Sequence, residues 1–179
     1  MGYQMVGVDL DAGALEIAKN HSNGLVTYLE KDMREIEDIP EKFDAILSMW
    51  QSFGYFDTVT NRDVLRQISE KLRPGGRFIL DIYHRAYWAL HEGTREFEKK
   101  GVRVAIENQL TGDRLRSTLR YGNRLDMDVF EWEVFTRDEI QELAQEFDLA
   151  LILSCTECDE GKPVSADKPM MQLLFEKRV

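Results

Sequence analysis

The sequence predicts an α/β domain: a three-layer sandwich with a mostly parallel sheet, an antiparallel insert and a closing antiparallel strand pair. Three observations predict it. Short apolar runs that end in acids alternate with helical periodicity in the first half of the chain. A stretch with a period of two then interrupts that alternation between about residues 102 and 135. A capped amphipathic helix and two further apolar runs close the chain.

The elements follow in order. Tyr3 to Leu10 reads as a buried parallel strand ending in an acid. Asp11 can cap the helix that follows, with Leu15 and Ala18 facing inward, and Asn23-Gly24 ends it. Leu25 to Leu29 is a second strand, closed by Glu30-Lys31-Asp32, and Phe43 to Met49 is a third. After the loop from Trp50 to Val59, Thr60 is placed to cap a helix. Its Val64, Leu65, Ile68 and Leu72 recur at helical spacing. Pro74-Gly75-Gly76 stops that helix, and Arg77 to Tyr83 is a fourth strand. Val102, Val104 and Ile106, and later Phe130, Trp132 and Val134, alternate with polar partners as half-buried antiparallel strands do. Thr136 and Glu139 make a capping box for a helix with Ile140, Leu143, Ala144 and Phe147 on one face. Leu149 to Cys155 and Met170 to Glu176 are the last strands.

Composition bounds the function. With 179 residues, 43% apolar and 31% charged, the chain fits one globular domain spanning residues 1–179, with its insert at about 84–135. A net charge of −10 argues against a general nucleic-acid partner, because phosphate backbones are held by clustered Lys and Arg. No apolar run approaches the length of a membrane span and no secretory signal is visible, so no membrane partner and a cytoplasmic location are expected. Two cysteines, Cys155 and Cys158, make no disulfide framework. Their spacing suits redox chemistry, but zinc would need a second pair.

Asp9 stands at the carboxyl end of a buried strand, where open α/β sheets bind ligands, and a carboxylate there accepts the hydroxyls of a ribose. The plainer reading is a helix-capping acid. Asp32 repeats the pattern one strand later and is placed to accept from an adenine amine; its plainer reading is a turn residue. The loop Ser48 to Phe56 is rich in aromatic rings, which favour a cationic ligand by about 0.5–2 kcal/mol or simply cover the core. Arg114, Arg116 and Arg120 share one strand face and face either an acidic substrate or Glu131 and Glu133.

Five segments in order carry a resemblance: Val6-Gly7-Val8-Asp9, Lys31-Asp32-Met33-Arg34, Phe43-Asp44-Ala45-Ile46-Leu47, Ser52-Phe53-Gly54-Tyr55-Phe56 and Leu72-Arg73-Pro74-Gly75-Gly76-Arg77-Phe78. Together they resemble the class I S-adenosylmethionine-dependent methyltransferases, a Rossmann-like family. The resemblance implies S-adenosyl-L-methionine as cofactor and a small-molecule acceptor. It assigns Asp9 to the ribose, Leu10 to the adenine face, Asp32 and the Met33 backbone to the adenine edge, and Ser48 and Met49 to the methionine part. On the acceptor side it points to Tyr83, His84, Tyr87 and Trp88, with His84 preferred as base and Tyr83 beside it; His84 also reads as an ordinary helix-start histidine. No metal is implied.

One part of the family pattern has no counterpart: a first strand followed by Gly-x-Gly-x-Gly, a unit of about 30 residues or more. Its absence predicts two exposed strand edges, weak cofactor binding by a lone chain, and homo-oligomerisation through those edges. Two other functions compete: an NAD-dependent oxidoreductase, whose ribose also suits an acid after a strand, and a non-catalytic oligomeric interaction module.

Overall fold

A computed structural model describes residues 2–22, 24–122 and 126–178. The first strand, β1 (Met5–Asp9), pairs in parallel with β2 (Val26–Glu30), Met5 opposite Val26 and Asp9 opposite Glu30. Helix α1 (Ala12–His21) joins them, capped as predicted by Asp11 Oδ1, which accepts from the Gly13 and Ala14 amides. Asn23, expected to end that helix, lies outside the described residues; the C-cap is Ser22. A short 3₁₀ segment (Met33–Asp38) follows β2.

The second sheet has the order β3-β4-β10-β9, from β3 (Phe43–Ser48), β4 (Leu72–Tyr83), β9 (Leu149–Cys155) and β10 (Met170–Lys177). Helix α2 (Thr58–Lys71) precedes β4, and α4 (Arg137–Gln145) precedes β9. The core lies where these helices meet the sheet. Val64, Leu65 and Ile68 of α2 and Ile140 and Ala144 of α4 pack with Phe78, Leu80 and Ile82 of β4 and Met171, Leu173 and Phe175 of β10. Each fully buried aliphatic side chain there contributes about 1.5–3 kcal/mol. Phe78 lies opposite Phe175 in the ladder, and their rings stack with centroids 6.0 Å apart.

Residues 84–135 leave this sheet and return to it. They form α3 (Arg85–Leu90) and a separate antiparallel sheet in the order β5-β6-β7-β8: β5 (Gly93–Lys99), β6 (Val102–Thr111), β7 (Arg114–Tyr121) and β8 (Met127–Glu133). The insert's own small core is Trp88, Leu115, Trp132 and Val134, with Tyr83, Tyr87 and Leu110 against it.

Three expectations need correction. The sheet is not mostly parallel: among the described residues only β1–β2 and β3–β4 pair in parallel, and every other ladder is antiparallel. Asp57, not Thr60, caps α2; its Oδ1 accepts from the Thr60 amide, so the helix opens at Thr58. Strand β4 begins at Leu72, directly after the helix, and Arg73 to Gly76 bulge out of it between the pairs Phe43–Leu72 and Ala45–Arg77. Gly75 takes φ +74° in that bulge.

The outer edges of β1 and β3 have no ladder partner among the described residues. Their apolar side chains are correspondingly open: Met5 and Leu47 are exposed. Among the described residues, no helix is long and apolar enough to cross a membrane.

Candidate active site

Two carboxylates stand at one end of the first sheet. β1 and β2 run parallel and in register, so Asp9 at the end of one and Asp32 just past the end of the other share the same rim. Asp9 is exposed; its Oδ1 accepts from the Asp11 amide at 3.0 Å and its backbone carbonyl accepts from the Lys31 amide. Leu10 beside it is 63% exposed, an apolar surface at the rim. Asp32 is buried and fully engaged. Its Oδ1 accepts from the Arg34 amide at 2.9 Å, and its Oδ2 from Arg34 Nε at 3.0 Å and Nη2 at 2.5 Å. That guanidinium holds the Asp32 carboxyl below the usual carboxylate range.

Arg34 connects this rim to the next strand. Its guanidinium lies over the Phe56 ring, 4.8 Å from the centroid, so the segment after β2 touches the loop after β3. Gln67 on α2 fixes the same segment, donating to the Arg34 carbonyl and accepting from the Glu37 amide.

At the end of β3, Ser48 is buried and its Oγ has no hydrogen-bond partner among the described residues. A buried hydroxyl left unpaired costs about 1–3 kcal/mol, so a ligand atom there would relieve it. Met49 is half-buried beyond it. The chain then turns at Trp50 and Gln51, both at positive φ (56° and 58°), with the Ser52 amide donating back to the Met49 carbonyl. Asp81 of β4, 5% exposed, receives the Trp50 amide on Oδ2 at 3.0 Å and the Gln172 amide group on Oδ1 at 2.6 Å. Buried Gln51 donates to the Phe53 carbonyl and accepts from the Tyr83 amide.

Past the end of β4, Tyr83 enters an aromatic cluster with Trp88 and Trp132, centroids 5.0 and 5.3 Å away. Burial pushes the Tyr83 phenol above its usual range, so it stays protonated near neutrality. The indole N–H groups of Trp88 and Trp132 are buried and have no partner among the described residues. His84 is also buried, its Nδ1 at 3.2 Å from the Ser165 carbonyl, which leaves Nε2 as the free nitrogen when Nδ1 carries the proton. Tyr87 stacks on His91.

Glu133 joins the insert to this end of the sheet. It is 3% exposed and accepts from Thr58 Oγ1 at 2.9 Å and Asn61 Nδ2 at 2.6 Å, both on α2. Its backbone amide donates to the Gly54 carbonyl. Of the arginines expected to meet acids across strands, Arg114 pairs with Glu131 and Arg120 with Glu107, whereas Glu133 pairs with neither. A cavity of about 420 Å³ lies alongside, lined by Tyr55, Phe56, Asp57, Asp113, Arg114 and Glu131 with Thr58. No cluster of potential metal ligands exists among the described residues. Both cysteines are free thiols.

The chain is similar to known proteins. Residues 1–76 match the family model described as a methyltransferase domain. The Bacillus subtilis (strain 168) protein named "Putative methyltransferase YqeM" is 28% identical over 85 residues, 46% of this chain and 34% of its own length. The aligned stretch therefore spans about a third of that relative. A crystal structure of an S-adenosylmethionine-dependent methyltransferase from Clostridium acetobutylicum ATCC 824 superposes with a TM-score of 0.83 at 21% identity, over 99% of this chain and 76% of that one.

The chain has the fold of the S-adenosylmethionine-dependent methyltransferases.

The same methyltransferase fold is seen in SAM-bound CalS10, an amino pentose methyltransferase from Micromonospora echinaspora, with a TM-score of 0.69 at 19% identity, over 96% of this chain and 73% of that one. Within this methyltransferase fold, sequence reasoning named the strand-end residues but missed Asp81 and Gln172, and it gave Glu133 the arginines of β7 as partners where the structure gives it Thr58 and Asn61. Asp81 sits inside an apolar strand and Gln172 lies 91 residues away, and nothing local marks them as partners.

Proposed function

We propose that this protein binds S-adenosyl-L-methionine along the rim of strand ends and transfers its methyl group to a small-molecule acceptor. One observation carries the reading: Asp9 and Asp32 end adjacent, in-register parallel strands, with the unpaired Ser48 hydroxyl at the end of another strand in contact through Arg34 and Phe56. The residues present suit the cofactor. Among the described residues Asp9 keeps one oxygen unpaired for a ribose hydroxyl, exposed Leu10 offers an apolar face to adenine, and the Met33 backbone beside Asp32 borders its edge. Ser48 and Met49 fall to the methionine part. When bound, the cofactor supplies an activated methyl on a sulfonium, so the chain's task is positioning and proton handling.

On the acceptor side, Tyr83 acts as a hydrogen-bond donor rather than a base, since burial keeps its phenol neutral. Nε2 of His84 is the atom placed to take a proton. The cavity beside the insert joins two aromatic rings and three carboxylates to one guanidinium. That lining suits a hydroxylated amine, and the amino pentose methyltransferase of the same fold supports an amino sugar as acceptor. The open edges of β1 and β3 suit an additional strand, from elsewhere in the polypeptide or from a second copy.

Equilibrium dialysis with labelled S-adenosylhomocysteine and, in parallel, NAD tests the reading. Binding of the former that drops at least tenfold on Asp9→Ala supports it. Binding of NAD alone overturns it in favour of an oxidoreductase. Labelled methyl transfer to a panel of amino sugars then tests the acceptor.

A further inference from the structure

The turn after β3 is built from the wrong residues. Two consecutive central residues at positive φ, closed by a hydrogen bond from Ser52 to Met49, is the pattern of a type I′ turn. Such turns favour Asn-Gly, because a bulky side chain at positive φ is strained. Here the positions hold Trp50 and Gln51. The surroundings impose the conformation. Asp81 takes the Trp50 amide on its carboxylate and the Gln51 amide on its backbone carbonyl, both at 3.0 Å. Gln172 pins the carboxylate from the other side, and the Gln51 side chain ties the turn to Phe53 and Tyr83.

The product of this strain is an indole in the wrong place for stability. Trp50 is 85% exposed, whereas Trp88 and Trp132 are buried. An exposed indole gains nothing from folding, and an imposed backbone that holds it out has its use in what comes to it. It stands two residues beyond the unpaired hydroxyl of Ser48.

We propose that Trp50 covers the bound cofactor at its sulfonium, and that Asp81, pinned by Gln172, is the positioning residue that holds it there. This inference rests on the rim being the cofactor site. The indole face offers the electron density that a sulfonium cation favours, and closing over it excludes water from the methyl group. Asp81 touches no ligand; it acts through the backbone of the turn.

The chain's three tryptophans make the test direct, because iodide quenches only an exposed one. Saturating S-adenosylmethionine is expected to protect the quenchable fluorescence. Trp50→Ala, at an exposed site that leaves the fold intact, is expected to weaken S-adenosylmethionine about 2- to 30-fold and S-adenosylhomocysteine, which lacks the sulfonium charge, less. Asp81→Ala is expected to lose the protection. Asp81→Asn with Gln172→Glu reverses the polarity of that pair, keeps an acceptor for the Trp50 amide, and is expected to restore it. Binding in dialysis without protection, or equal loss of both ligands in Trp50→Ala, overturns this inference and leaves the rim reading standing. Absence of any adenosyl ligand binding overturns both.

Discussion

Glu133 is the most informative residue to perturb, because a single carboxylate ties the insert to the core helix. In Glu133→Ala the Nδ2 group of Asn61, itself 1% exposed, loses its acceptor at 2.6 Å and keeps only the Phe56 carbonyl. One buried donor without a partner costs about 1–3 kcal/mol. Thr58 lies nearer solvent and regains its bond from water, so it adds little. For a chain of this size 1 kcal/mol lowers Tm by about 2–4 °C, and the expected loss is about 2–12 °C. Glu133→Gln isolates the cause. Its carbonyl oxygen still accepts from Asn61, and its amide donates to the Thr58 hydroxyl, which rotates to receive it. The expected cost is under about 1 kcal/mol. Urea unfolding followed by circular dichroism reads both. Should Glu133→Gln be as damaging as Glu133→Ala, the charge and not the acceptor geometry would be what matters, and the reasoning fails.

Other outcomes follow from single contacts. Gly54 sits at φ +101°, and an added Cβ would lie 2.5 Å from the Glu133 carbonyl oxygen. Gly54→Ala is expected to destabilise by more than Glu133→Ala, measured by the same urea midpoint. Asp57→Ala removes the acceptor for the Thr60 amide and is expected to cost about 0.5–2 kcal/mol, whereas Thr60→Ala costs less, since Asp57 and not Thr60 is the cap. The hydrogen bonds from Arg34 to Asp32 and from Arg66 to Asp63 lower both carboxyls below their unfolded values. The unfolded chain therefore takes up protons first as pH falls. The stability these groups contribute is present above about pH 4 and lost below it. Urea midpoints between pH 6 and pH 2 should fall less steeply in Asp32→Asn.

The strands and helices at the rim that carries Asp9 and Asp32 were legible because each is signalled locally. An apolar run, a terminal acid and a cap residue lie within ten positions of one another, as in Val6 to Asp11. The capping box of Thr136 and Glu139 is equally local and is present, with both halves made. Other features depend on distant partners. The sheet was expected to be mostly parallel because alternating strands and helices suggest it. In the structure the return strand β10 runs antiparallel to both of its neighbours. Strand β5 is exposed along its whole length and shows no apolar alternation to read. The Asp81–Gln172 contact spans 91 positions, and only tertiary pairing of β4 with β10 brings it about. Asp57 outcompeted Thr60 as cap for a reason visible only in backbone angles: it holds the extended conformation that precedes the first turn.

The place of β10 between β4 and β9 has a consequence for biosynthesis. Leu149–Cys155 has no partner strand of its own until residues 170–177 are made, and β4 lacks its second neighbour over the same interval. A ribosome that has translated as far as residue 160 thus carries a nascent chain whose Phe78, Leu80 and Ile82 already need covering, while Met171, Leu173 and Phe175 do not yet exist. Cooperative closure of the main sheet waits for the last wedge to slide between two earlier segments. Chaperone demand should peak in that window and end with the arrival of those eight residues.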